Sequence, residues 1–244
     1  MSSLRPLNLA DHGSLRFDPT VVGPAHRIVQ IGLSEVPLVA ADMPVCFAKD
    51  GTTGKFNLVA LVGLVDPANL FVQDRRFHAT YCPRALQLTG FRLDVRGVAG
   101  LAVDESDPAI GGTGDSLFRN GEPTSLAAGV AAALERLVAE IGAARAMAEG
   151  YAALRLIQPM HLVLQDEHGK DEVIDGLYTI DTAALAQLGD VDVLRLHRSG
   201  ALASAVLAAA SLAQVERLCQ LHNARGGGRL RIARLVDDAA FQAF

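Results

Sequence analysis

The densest run of chemistry-bearing side chains lies at residues 69–84, NLFVQDRRFHATYCPR. Asn69, Asp74, His78, Tyr81 and Arg84 are interleaved there with Phe71, Phe77 and Pro83. A histidine beside a carboxylate can take up and release a proton near neutral pH, so His78 with Asp74 is a candidate acid–base pair. Asn69, Tyr81 and Arg84 would complete the rim of a pocket around it. If Phe71 to Tyr81 were extended, Phe71, Phe77 and Tyr81 would share one face, with His78 and Thr80 on the other. The same residues also describe a loop whose side chains satisfy one another by hydrogen bonds. The sequence leaves both open.

Other reactive residue types are scattered. His12, His26, His78, His161, His168, His197 and His222 form no H-E-x-x-H or H-x-x-x-H pair, so no metal site is predicted. His168 falls in a run of turn residues. Cys46, Cys82 and Cys219 are far apart and sit among apolar neighbours, which suits small buried side chains better than disulfides or zinc. The cluster Gly111-Gly112-Thr113-Gly114-Asp115-Ser116 lacks the lysine and the immediate helix of a phosphate-binding loop. It resembles a single calcium nonapeptide with the aspartate displaced, and a turn is the simpler expectation. No G-x-S-x-G nucleophile elbow occurs, and no cofactor is named by any motif.

The elements that must position these residues are legible from periodicity. Leu58–Val65 is a continuous apolar run between Lys55 and Asp66-Pro67, as expected of a strand covered on both faces. Pro44–Phe47, Phe91–Val95 and Val98–Val103 are shorter candidates. A helix is predicted from Thr124 or Ser125, where a hydroxyl can cap free backbone N–H groups. Its apolar face is Leu126, Val130, Leu134, Leu137, Val138 and Ile141. A break near Gly142, a second helix over 143–157 and a stop at Pro159 are expected. Met160–Gln165 and Glu172–Ile180 then read as a hairpin about Asp166–Lys170. Helices follow at Thr182–Leu188, Val191–His197 and Ala201–His222. Strands and helices are segregated, which predicts an α+β fold: a strand-rich N-terminal half, a helix pair, a β-hairpin and a helical C-terminal part. The expected organisation is one domain over 1–230 with a short tail at 231–244.

Composition narrows the function classes. The 244 residues are half hydrophobic and one-fifth charged, with net charge −5, the balance of a well-buried globular chain. Such a balance lacks the broad basic surface that phosphate neutralisation needs, so no nucleic-acid partner is expected. The apolar stretches at 126–134 and 201–215 fall short of the roughly 20 residues needed to span a bilayer, and no transmembrane segment is expected. The opening residues contain no apolar run of the signal-peptide type, so the default expectation is cytoplasmic.

A whole-chain resemblance adds to this. Asn69-Leu70-Phe71-Val72, followed by an aromatic residue and Tyr81-x-Pro83, resembles the N-L-F-V…W-x-A-x-Y-x-P pattern of the SapC family. Pro6-Leu7-Asn8 with His12 and Leu15-Arg16, the segment Glu35–Phe47, and Gly63-Leu64 agree with it in the same order. So do Leu117-Phe118 with Gly121-Glu122-Pro123-Thr124, Gly176-Leu177-Tyr178 and Ser211-Leu212. Phe77 stands where the family has tryptophan, and Gln87-Leu88-Thr89-Gly90-Phe91 replaces its R-R-Y-P-F block. The resemblance implies a non-enzymatic binding or accessory protein linked to the bacterial surface layer or its export, with a protein or surface-glycan partner. Surface association would then use non-classical export, and the acidic-then-apolar stretch at 237–241 is the candidate signal. The alternative is an enzyme or ligand-binding protein using the 69–84 segment, acting beside enzymes that tailor small molecules or peptides.

Overall fold

The structure is a computed structural model and describes residues 4–23, 26–65, 68–226 and 228–236. It is α+β, with several antiparallel sheets and segregated helices. The chain divides into two compact units. The first comprises the described residues up to 23 with Val72–His78 and Cys82–Ala139, and the second the remainder.

The second unit is built on a six-stranded sheet. Its strands are β1 (Ile28–Gln30), β2 (Val45–Lys49), β3 (Phe56–Leu61), β4 (Ile157–Gln165), β5 (Asp171–Ile180) and β6 (Arg231–Val236). Their order is β6-β4-β5-β2-β3-β1, with every pairing antiparallel. β3 carries the expected apolar run, although regular pairing ends at Leu61, and Val62 and Leu64 continue as buried irregular backbone. The predicted β4–β5 hairpin is present. Its turn is organised by Asp166, whose Oδ1 accepts from the N–H groups of His168 and Lys170, both at 2.9 Å. The segment anticipated as a tail supplies edge strand β6 over Arg231–Val236, and residues 237–241 lie outside the described residues.

Four helices matter for the site: α1 (Ser125–Ala153), α2 (Asp190–Arg198), α3 (Ala201–Ser211) and α4 (Val215–Ala224). The expected break at Gly142 does not occur, and α1 runs unbroken through it. One glycine costs a helix only about 1 kcal/mol, which surrounding alanines and packing residues easily offset. The buried stripe Ala144, Ala148 and Tyr151 seats the C-terminal half, and the Tyr151 ring meets Phe47 of β2 edge-on at 6.0 Å. Val138, expected on the apolar face, points outward. Pro159 stops no helix: α1 ends at Ala153, and Pro159 sits in β4 opposite Tyr178 of β5. There β4 pairs only with β5 among the described residues, so its missing N–H breaks no ladder on the other side. Thr124 does not cap α1 either. Its hydroxyl donates instead to the carbonyls of Ser116 and Leu117.

The predicted long helix from Ala201 is α3 and α4 joined by a tight 3-10 turn at Leu212–Gln214. Together they make a 24-residue run, Ala201–Ala224, long and apolar enough by length and composition to cross a membrane, a test that core helices of soluble proteins also pass. Ser211 and Arg217 tie this run to β2 and the turn before it: the Ser211 hydroxyl accepts from Val45 N–H at 2.8 Å, and Arg217 pairs with Asp42.

The first unit consists of short antiparallel ladders. Leu101–Asp104 pairs with Leu4–Pro6 on one side and Phe91–Leu93 on the other. Its core includes Phe17 packed edge-on against Phe91 at 4.9 Å. The glycine cluster is a turn between two short strands that both pair with Arg16–Phe17. Gly114 is required in it, because φ is +87° and a Cβ would lie 2.3 Å from the Phe17 carbonyl oxygen. Val98–Val103 is not one strand but a 3-10 turn followed by Leu101–Asp104.

The continuity of α1 is testable at Gly142, where a Cβ would meet no atom within 4 Å. Gly142→Ala should raise stability by about 0.5–1 kcal/mol, read as a higher denaturant midpoint with unchanged slope. No gain, or a loss, would mean that the helix is interrupted there.

Candidate functional site

The five residues singled out by chemistry are divided between the two units. Asp74, His78 and Arg84 belong to the first, and Asn69 and Tyr81 to the second. Phe71 to Tyr81 is not one extended run, because Val72–Gln73 and Arg76–Phe77 form a hairpin. Asp74 and Arg75 are its two central residues, with φ of 50° and 62°, the left-handed pair that such a tight hairpin turn needs. Arg75 is held there by its own bonds: its guanidinium donates to the Pro108 carbonyl at 2.6 Å and its carbonyl accepts from Val22 N–H at 2.9 Å. Asp74 and His78 are exposed, and Arg84 is half-buried at the start of the short helix Arg84–Gln87.

Asn69 and Tyr81 are committed to the interior. The Asn69 side chain is fully buried, and its Oδ1 accepts from Phe71 N–H at 2.9 Å, closing a turn of the Asx type. That bond fixes the orientation of the amide, since a flipped group would face one N–H with another. Its Nδ2 has no partner among the described residues. The Tyr81 hydroxyl donates to Glu35 Oε1 at 2.8 Å, and Glu35 is itself fully buried. The other oxygen of Glu35 accepts from Gly32 N–H at 2.7 Å. Gly32 admits no side chain there, because a Cβ would lie 2.7 Å from the Cβ of Glu140 on α1.

Asp42 is the second buried carboxylate. One oxygen accepts from Thr80 N–H at 2.6 Å, and the other pairs with Arg217 of α4. Burial alone would raise its pKa, but the hydrogen bonds from Thr80, followed by the charge and hydrogen bond of Arg217, outweigh burial and hold it below 3.8. The Arg217 guanidinium also lies 5.7 Å from the centre of the Phe71 ring. Arg225, at the end of α4, donates to the Leu70 carbonyl at 2.9 Å. Residues 69–71 and 79–81 are therefore clamped within the second unit by Glu35, Asp42 and two arginines. Chemically, the arrangement fixes backbone segments. It leaves Tyr81, Asp42 and the Asn69 oxygen occupied.

A comparable device sits in the first unit. His12 is fully buried, and its Nδ1 accepts from Asn8 N–H at 3.0 Å. The proton is then on Nε2, which faces Glu105 Oε1 at 3.3 Å. With its only lone pair used, His12 orients the opening turn and is not free to act as a base. Among the described residues no three His, Cys, Asp or Glu side chains are placed to hold a metal ion. Cys46 and Cys219 are buried, and burial pushes their thiols up to about 12 and about 11, far from the reactive thiolate range. Cys82 is only partly buried.

Apart from the family resemblance, which takes in His12 and the segment Glu35–Phe47, sequence patterns did not single out Glu35, Asp42, Arg217, His12 or Glu105. For the first two a signal existed. Glu35 and Asp42 are the only charged residues in the run EVPLVAADMPVCF, and a lone carboxylate in such a run is buried with a partner or exposed at a turn. Arg217 gave none, since its partner lies 175 residues away.

The clamp predicts a specific stability loss. Asp42→Ala strands the Thr80 N–H and the Arg217 guanidinium and should cost about 2 kcal/mol. Asp42→Asn should cost less, because it still offers Thr80 an acceptor. The contribution of Asp42 is fully present above its ordinary pKa of 3.8 and is lost as pH falls through its lower folded value. Acid titration of stability should thus be shallower below pH 3.8 in Asp42→Asn than in the parent, measured by urea unfolding at stepped pH. Identical acid limbs would contradict the ionised pair.

Comparison with known proteins follows the same outline. No curated protein and no solved structure matches this chain. The SapC family matches over residues 7–218, a span that takes in Asn69, Tyr81, Asp42, Glu35 and Arg217 together. With most of its 244 residues inside that match, the chain belongs to the SapC family.

Proposed function

We propose that this protein is a non-enzymatic binding or accessory protein of the SapC type, associated with the bacterial surface layer or with its export. The observation that supports it most is the bond from Tyr81 to Glu35. A tyrosine hydroxyl can serve as an acid–base group, and here it is bonded to a buried carboxylate. Asn69 is likewise spent on the Phe71 N–H. The residues that mark the family thus hold backbone segments in place, as a scaffold for recognition requires. A protein or surface glycan is the partner class this role calls for.

Purified protein should sediment saturably with isolated cell-envelope fragments that carry a surface layer, and should stay in the supernatant without them. Equal sedimentation with and without envelope would overturn the proposal. Tyr81→Phe separates scaffold from chemistry in the same assay. The variant should lose about 1–2 kcal/mol of stability by removing one hydrogen bond to buried Glu35, while envelope retention per folded molecule stays unchanged.

A further inference from the structure

The second unit carries a groove of about 460 Å³ along the C-terminal half of α1, a volume within the range of small-molecule sites. Its floor is a stripe on one helical face: Ala143, Ala146, Met147 and Gly150, at spacings of three and four residues. Apart from Met147, nothing larger than a methyl group stands on that floor, so the helix backbone itself is approached closely. A Cβ on Gly150 would meet no atom within 4 Å, which shows how open the trough is at that point. Leu196, at the α2–α3 corner, forms part of the wall.

Two polar side chains line this otherwise apolar groove, Arg195 and Ser199, and both come from the last turn and cap of α2. They are four residues apart and so stand together. Arg195 is steadied by Asp192 at 3.1 Å but keeps 62% of its side chain exposed, leaving guanidinium N–H groups available. The Ser199 hydroxyl donates to the Leu196 carbonyl at 3.1 Å and retains its lone pairs. An apolar trough with one cationic corner complements a ligand with an apolar chain and one anionic head. A carboxylate matches the planar fork of arginine by two parallel hydrogen bonds.

We propose that this groove binds an amphipathic carboxylate of the medium-chain fatty-acid class, with its chain along α1 and its head on Arg195. The assignment stands on the groove alone and does not depend on surface-layer association. Binding involves no covalent step.

The test is calorimetric titration of the full chain with octanoate, decanoate and dodecanoate, beside decylamine and decanol. Affinity should rise roughly fourfold per added methylene until the groove is filled. Decylamine should not bind, and decanol should bind more weakly than decanoate. Arg195→Ala should weaken decanoate about tenfold or more, with Arg195→Lys in between. Gly150→Leu should abolish binding while leaving the melting temperature close to that of the parent. If that variant fails to fold, Ala146→Leu serves the same purpose from the other side of the floor. The proposal is overturned if decylamine binds as well as decanoate, if Arg195→Ala is silent, or if no chain length binds. It is equally overturned if the protein floats with anionic phospholipid vesicles but ignores free carboxylates, since a membrane surface would then be the occupant.

Discussion

Asp42 is the joint on which the second unit depends. A carboxylate only 6% exposed is costly to bury unless every oxygen is met, and here the two oxygens meet groups from distant parts of the chain. Thr80 comes from the return of the 69–81 excursion and Arg217 from α4, near the end of the fold. One buried charge therefore fixes three segments at once: the turn after residue 40, the segment 79–81 and the last long helix. Arg217 extends the joint to Phe71, and Arg225 to Leu70, so that α4 holds both ends of the excursion. Glu35 repeats the arrangement seven residues earlier, with Gly32 and Tyr81 among its partners. Hydrophobic burial gives this unit its bulk, but it is non-directional and does not choose between registers. The two carboxylates supply the choice.

Much of the fold was legible because periodicity and turn chemistry are local. The β4–β5 hairpin announces itself through Asp166 and Gly169, and β3 through an unbroken apolar run. The failures share one cause: a local signal was outweighed by something that local sequence does not carry. Gly142 lowers helix propensity, yet α1 is seated by Ala144, Ala148 and Tyr151 and continues regardless. Pro159 forbids a helix interior but not a strand position paired on one side, and among the described residues β6, some seventy residues downstream, joins β4 only from His161. Val138 fits the heptad-like face of α1 and is nonetheless exposed, because the buried face there is set by tertiary contacts rather than by the wheel.

The candidate site was legible only as a place. Residues 69–84 attracted attention through their polar content, but side-chain type alone does not tell a catalytic group from a structural one. The difference lies in partners. Tyr81 and Asn69 face a buried carboxylate and a backbone N–H, whereas Asp74 and His78 are exposed on or beside the hairpin. The groove beside α1 was hidden for the opposite reason. Alanine and glycine read as neutral helix filler, and only the three-dimensional neighbours show that filler on an outward stripe leaves a trough.

Several landmarks of the resemblance are positions where the backbone needs a particular residue. Asn69 closes an Asx turn, and Gly121 and Gly176 adopt φ of 84° and 80°, a region where other residues are strained. At Gly176 the β4–β5 register shifts, between Met160 and Leu162 on the facing strand, so a glycine sits where the ladder must bulge. Tyr81 satisfies Glu35, and Ser211 satisfies the first N–H of β2. Phe91, retained where the basic block preceding it is lost, packs on Phe17 in the core of the first unit.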